Sequence, residues 1–360
     1  MAFTRDAIRA RTDAFCRTYG LRVPILMAPM AGACPASLSI AVGNAGGLGA
    51  CGALLMSPDA IKAWAREMRA GSNGGFQINL WIPDPPPVRD AAAEASVRSF
   101  LAQWGPPVAA EAGNATPPDF EAQCEAMLEV GPTVISSIMG LYPPAFVARM
   151  KDAGIRWFAT ATTVAEARAA EAAGADAIIA QGMEAGGHRG AFDAGAAETG
   201  LVGLAALVPA VADAVGIPVI ATGGIADARG VAAALMLGAS AVQIGTGLLR
   251  CPEAKLAQAW ADGIGQAAPE ETLVTRAFSG RAGRSIATAY ARAASSPSAP
   301  DPAPYPVQRG LTQGMREAAT KANDIDRMQA WAGQSARLAQ AVPAAELVRS
   351  LWDEVRGVLD

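Results

Sequence analysis

PVIATGGIADARGVAAALMLGASAVQIGT, residues 218–246, reads as a strand, a helix and a second strand in succession. Pro218–Gly223 is a short apolar run that closes on glycine. Asp227–Leu237 has a helical pattern, and Ala241–Thr246 is a second apolar run ending on Gly245 and Thr246. Strands joined through a helix pair in parallel, because the crossover returns the chain to its starting edge. Runs apolar on both faces belong to a sheet covered on both sides.

Upstream of this unit the same alternation recurs. Val23–Met30, Gly47–Ala53, Phe76–Trp81, Thr133–Ile138, Arg156–Thr160 and Asp176–Gln181 read as strands. Pro35–Ala45, Ser57–Ala70 and Val164–Ala173 read as helices, with Ser57 as a cap and Pro58 at the first helical position. Eight strands alternating with helices predict an α/β protein, a closed (β/α)8 TIM barrel, rather than an open doubly wound sheet. Such a barrel needs roughly 250 residues, and the chain has 360. Residues 1–250 are expected to form the barrel, with an excursion at about 83–132. That excursion opens on four prolines and holds helices at Arg89–Trp104 and Asp119–Val130. Residues 251–360 are expected to be a mainly helical addition packing on the barrel, interrupted by a loop at Ala293–Pro306.

Composition excludes several classes of function. From Val23 to Pro58 no residue is charged, but prolines and glycines interrupt the stretch, so it cannot be one membrane-spanning helix. Arg5, Arg9 and Arg11 are not followed by an apolar signal core. The formal net charge is −4 and no basic block is present, which argues against nucleic acid or an anionic membrane as partner. The five cysteines form no CxxC pair and read as free thiols of a cytoplasmic protein. One histidine and no cysteine cluster leave too few ligands for a metal site, so none is expected. The oligomeric state is open, a homodimer among the options.

Barrel enzymes place their working residues at the C-terminal ends of the strands. Here Gly223 and Gly224 follow the seventh strand, and Gln243, Gly245 and Thr246 end the eighth. Glycines on these two loops allow backbone N–H groups to approach a phosphate closely. After the sixth strand comes QGMEAGGHRG (181–190), a loop suited to lie close against something flat or large. Gln181 ends that strand and can hydrogen-bond a ligand. His188, the only histidine, can accept a proton from a carbon acid or hold an anionic substrate. Glu184 and Arg189 are read as a pair within the loop, with no proton-transfer role. Pro29 and Met30 end the first strand, where Met30 either packs on an aromatic ring system or fills the core. Asn79 interrupts the third strand, and its partner is either a ligand or the backbone.

Taken together, PILMAPMAG (24–32), NAGGLG (44–49), QINLW (77–81), AGADAIIAQGMEAGGHRG (173–190), PVIATGGI (218–225), LGASAVQIGT (237–246), TRAFSGRAGR (275–284), YPVQRGLTQGM (305–315) and WAGQSA (331–336) resemble the nitronate monooxygenase family, formerly called nitropropane dioxygenases. The EAGGHRG and WAGQSA runs resemble its first class. The resemblance implies a barrel holding FMN non-covalently, its phosphate on the backbone of Gly223, Gly224, Gly245 and Thr246. It implies Gln181, Gly186, Gly187 and Asn79 along the ring and ribityl chain, and His188 over the flavin. It implies oxidation of alkyl nitronates, such as propionate 3-nitronate, with O2 through a flavin semiquinone. One departure stands out: after the fourth strand this chain has Ser136-Ser137-Ile138-Met139-Gly140, where members of the family often carry an aromatic residue or a second histidine. The same loops would serve an NAD(P)H-dependent flavin reductase of quinones or enoyl-thioesters, which is the alternative reading.

Overall fold

A computed structural model describes residues 4–359, so residues 1–3 and 360 of the two expected segments lie outside the described residues. Its strands are β1 (Ile25–Met27), β2 (Gly49–Gly52), β3 (Phe76–Trp81), β4 (Val134–Ile138), β5 (Arg156–Ala161), β6 (Ala177–Gln181), β7 (Gly187–His188), β8 (Val219–Thr222), β9 (Ala241–Ile244), β10 (Thr272–Thr275) and β11 (Gly283–Ile286). Eight of them form one parallel sheet in the order β1-β9-β8-β6-β5-β4-β3-β2. The sheet closes where Leu26 bridges Leu48 in parallel. There the Met27 N–H donates to the Leu48 carbonyl at 2.9 Å and the Leu48 N–H to that of Ile25 at 3.2 Å. The eight strands read from the sequence are these eight, and the barrel they close is the expected one.

The interior is layered along the strands. At the N-terminal end, Leu26, Leu48, Val134, Phe158, Ile179 and Ile220 face inward. The helix Arg5–Tyr19 plugs that end. Thr4 caps it, accepting from the Ala7 N–H at 3.2 Å, and Gly20 ends it in the left-handed region. Its Phe15 and Tyr19 join the inward layer, with the Tyr19 ring edge-on to Phe158 at 4.9 Å. Each such side chain contributes about 1.5–3 kcal/mol by leaving water. The larger core lies between the strands and the outer helices, where Ile25, Met27, Ile78, Ile178 and Val242 pack.

The region after residue 250 departs from the expectation in two ways. It holds the antiparallel hairpin β10–β11, and β11 also pairs with β7 of the His188 loop, giving a three-stranded sheet. The pairing joins segments nearly a hundred residues apart, so no local pattern announces it. The last helix, Ala344–Leu359, packs between Ala36–Ala45 and Ala228–Met236 and completes the outer ring of the barrel. It therefore belongs to the barrel and not to an addition. The excursion is also divided. Phe120–Val130 lies on the barrel helix Pro58–Gly71. Ala91–Leu101 instead shares a separate core with Phe278, Tyr290, Val307 and Leu311. The added unit is thus built from two distant segments that bury each other's apolar faces.

Candidate active site

Two residues along each strand from the apolar inward layer, the lining turns polar. Val134 gives way to Ser136, Phe158 to Thr160, Ile179 to Gln181, Ile220 to Thr222 and Ala241 to Gln243, all buried. This is the period of two that carries one face of a strand toward its C-terminal end. These groups hold one another. The Gln77 amide donates to the Gln243 side-chain oxygen and to the Met27 carbonyl, both at 2.9 Å. The Asn79 amide donates to Ser136 at 3.1 Å, and Thr222 to the Gln243 carbonyl at 2.8 Å. Among the described residues, no partner takes the Gln243 amide N–H groups or the Asn79 carbonyl oxygen.

Above this layer a cavity of about 730 Å³ opens at the C-terminal rim. All twelve residues singled out in the sequence line it: Pro29, Met30, Asn79, Gln181, Gly186, Gly187, His188, Gly223, Gly224, Gln243, Gly245 and Thr246. Met30 is only half-buried, so its thioether faces this space as well as the core. The Gln181 amide is a clamp on its own loop, donating to the His188 carbonyl at 3.1 Å and accepting from the Gly190 N–H at 2.8 Å. Glu184 and Arg189 are not the expected pair. Glu184 accepts from the Leu204 N–H at 3.0 Å, while Arg189, 1% exposed, donates to the Gly182 carbonyl at 2.7 Å.

At the ends of β8 and β9 the backbone turns on glycines at the cavity rim. Gly223 and Gly224 have φ of 110° and 68°, which turns the chain back on itself. Among the described residues, the N–H groups of Gly223, Gly224 and Gly245 donate to nothing. None of the three glycines is buried, Gly224 being exposed and the other two half-buried, so their donors are open to the cavity and suit a phosphate that would accept from them. A Cβ on Gly186 would strike the backbone of Ala332 and Gly333, and lie 2.8 Å from the Thr246 hydroxyl. The late segment 331–335 thus crosses this loop directly, held where the Gly333 N–H donates to Thr246 at 3.0 Å.

His188 sits in β7, fixed by pairing with Gly283. Its Nε2 lies 2.7 Å from the Ser279 hydroxyl. Trp81 and Trp331 meet its ring edge-on at 4.6 and 4.8 Å. Burial, and after it the positive charges of Arg309 and Arg281, push the imidazole down to about 3. The group is therefore neutral around pH 7. Arg281 is ion-paired with Asp84. Arg309 lines the cavity half-buried, and among the described residues no hydrogen bond or ion pair holds its guanidinium. Beside it Arg316 braces the helix, donating to the Arg309 carbonyl at 2.9 Å.

Sequence reasoning missed Trp81, Trp331, Ser279 and Arg309. All four lay within runs quoted for the family resemblance, but nothing local marked them as neighbours of His188.

The chain matches the family model described as nitronate monooxygenase over residues 16–354. It is 40% identical over 348 residues to a nitronate monooxygenase of Paraburkholderia phytofirmans, covering 94% of this chain and 93% of that one. Among solved structures it resembles a nitroalkane oxidase from Streptomyces ansochromogenes, with TM-score 0.86 and 34% identity, covering 98% of this chain and 100% of the other. It also resembles FabK from Thermotoga maritima, with TM-score 0.75 and 28% identity over 96% of each chain.

Proposed function

Because the chain belongs to the nitronate monooxygenase family, and is thereby a flavin-dependent oxidoreductase, we propose that it holds FMN and oxidises alkyl nitronates, among them propionate 3-nitronate, with molecular oxygen. The observation that carries this reading is one cavity lined by both the unpaired N–H groups of Gly223, Gly224 and Gly245 and the neutral His188. FMN, when bound, supplies the one-electron chemistry between nitronate and oxygen.

The protein's part is to bind and orient. Gly223, Gly224 and Gly245, with Thr246 beside them, would hold the phosphate. Gln243 and Asn79 would offer their free donor and acceptor to the ring and ribityl chain, with Gln181, Gly186 and Gly187 along the same wall. Pro29 and Met30 would pack on the ring. A nitronate arrives already deprotonated. An imidazole held at about 3 is too weak a base to strip a neutral nitroalkane at pH 7. His188 therefore orients the nitronate anion, and the uncompensated charge of Arg309 draws that anion in. The five cysteines are free, and no helix among the described residues is long and apolar enough to cross a membrane. We place the enzyme in the cytoplasm.

The test is optical. The purified protein should be yellow and release FMN on denaturation. Mixed without oxygen, a nitronate should bleach it and NADH should not. Bleaching by NADH alone would overturn the reading in favour of an NAD(P)H-dependent reductase.

A further inference from the structure

Two glutamines meet at the floor of the cavity, and only one of them reaches it. Gln243, on β9, lines the cavity, whereas Gln77, on β3, is fully buried and is not among the lining residues. In the closed sheet β1 and β2 lie between these two strands. The 2.9 Å hydrogen bond from Gln77 to Gln243 therefore crosses the barrel interior.

An amide side chain can be turned over, exchanging its oxygen for its NH2 group with no change of shape. Here a backbone carbonyl forbids the exchange. The Gln77 nitrogen donates to the Met27 carbonyl at 2.9 Å, and reversal would set two acceptor oxygens against each other. With Gln77 held this way, its other N–H meets the Gln243 side-chain oxygen. Gln243 must then turn its own NH2 group to the cavity. The arrangement is costly, because among the described residues no partner takes the buried Gln77 side-chain oxygen.

We propose that Gln77 is a positioning residue: it sets the Gln243 amide so that N–H, and not oxygen, faces the flavin ring, and this raises the reduction potential of bound FMN. The proposal rests on the FMN reading above. A ribityl hydroxyl both donates and accepts, so it tolerates either face of an amide. The ring carbonyls only accept, so they alone reward a device that fixes the face. Their oxygens gain negative charge when the ring is reduced, and hydrogen bonds to charged acceptors are the stronger ones. The N–H should therefore favour reduced over oxidised FMN by about tenfold, which is about 30 mV for a two-electron couple.

Redox titration of the holoenzyme reads the effect. Gln77→Met keeps the length of the side chain, removes both donors and leaves Gln243 free to turn. Its FMN potential should fall by about 30 mV, with a thermal melt to confirm the fold. Gln243→Met should lower the potential at least as far, and the double variant should match Gln243→Met alone, because Gln77 acts only through Gln243. An unchanged potential in Gln77→Met, or a further equal drop in the double variant, overturns the proposal. Raman spectra of the wild-type holoenzyme test it with no substitution in the core. A ring carbonyl stretch should lie below that of flavin in an aprotic solvent, and carbonyl stretches equal to those in that solvent overturn the proposal. A protein that takes up no FMN overturns the cofactor reading on which it rests.

Discussion

Replacing Gly223 with alanine tests the phosphate cradle at its tightest point. At φ of 110° an L-residue is strained by about 1–3 kcal/mol. The added Cβ would lie 3.0 Å from the Ala185 nitrogen and 3.2 Å from the Gly182 carbonyl oxygen. Both are backbone atoms of the loop that carries His188, so neither yields by a side-chain rotation. Relief comes from turning the peptide, which takes the Gly223 N–H out of the cradle. A hydrogen bond to a charged group contributes about 1.5–3 kcal/mol, so FMN affinity should fall by about 10- to 150-fold. Riboflavin has no phosphate, and its affinity should change much less. Fluorescence titration of flavin-free protein with each ligand reads both numbers, and a thermal melt confirms that the variant is folded. If Gly223→Ala binds FMN as the wild type does, or loses both flavins equally, the phosphate does not rest on this turn.

Three further outcomes follow from the same geometry. His188→Asn should lower kcat/KM for a nitronate by about 10- to 150-fold, the worth of one hydrogen bond to an anion, while the bound flavin spectrum is retained; steady-state oxygen uptake measures it, and undiminished turnover removes His188 from the reaction. Arg309→Met should raise KM for an anionic nitronate by about tenfold or more with a smaller effect on kcat, and it should lift the imidazole of His188, since Arg309 is one of the two cations that lower it. The imidazole sits at about 3 in the folded protein against about 6.5 when unfolded. The unfolded chain therefore takes up this proton first, and the stabilisation from a neutral His188 is present above about pH 6.5 and lost as pH falls toward 3. The difference in melting temperature between wild type and His188→Asn should shrink from pH 7 to pH 4, and a constant difference would contradict the assigned protonation state.

The candidate site was legible where its chemistry is local. Gly223, Gly224 and Gly245 stand out because a glycine at the end of a barrel strand has few other uses, and Asn79 because a polar residue breaks an apolar run. What these residues do was less legible. Gln181 reads as a ligand donor, yet its amide is occupied by the His188 carbonyl and the Gly190 N–H. Glu184 and Arg189 read as a pair because they are close in sequence, yet each is bonded to a different backbone group.

The sequence by itself determined the barrel. An apolar run, a capped helix and a terminating glycine are all properties of a dozen neighbouring residues, and eight such units have one closed arrangement that buries both faces of every strand. Only the tertiary structure decided the surroundings of His188. Ser279 at 2.7 Å, the two tryptophan edges, the pairing of β7 with β11 and the unpaired Arg309 come from segments far from His188 in the chain, Trp331 the most distant. A glycine-rich stretch such as GGHRG has no periodicity of its own. Its conformation is set by the backbone against which the finished fold lays it.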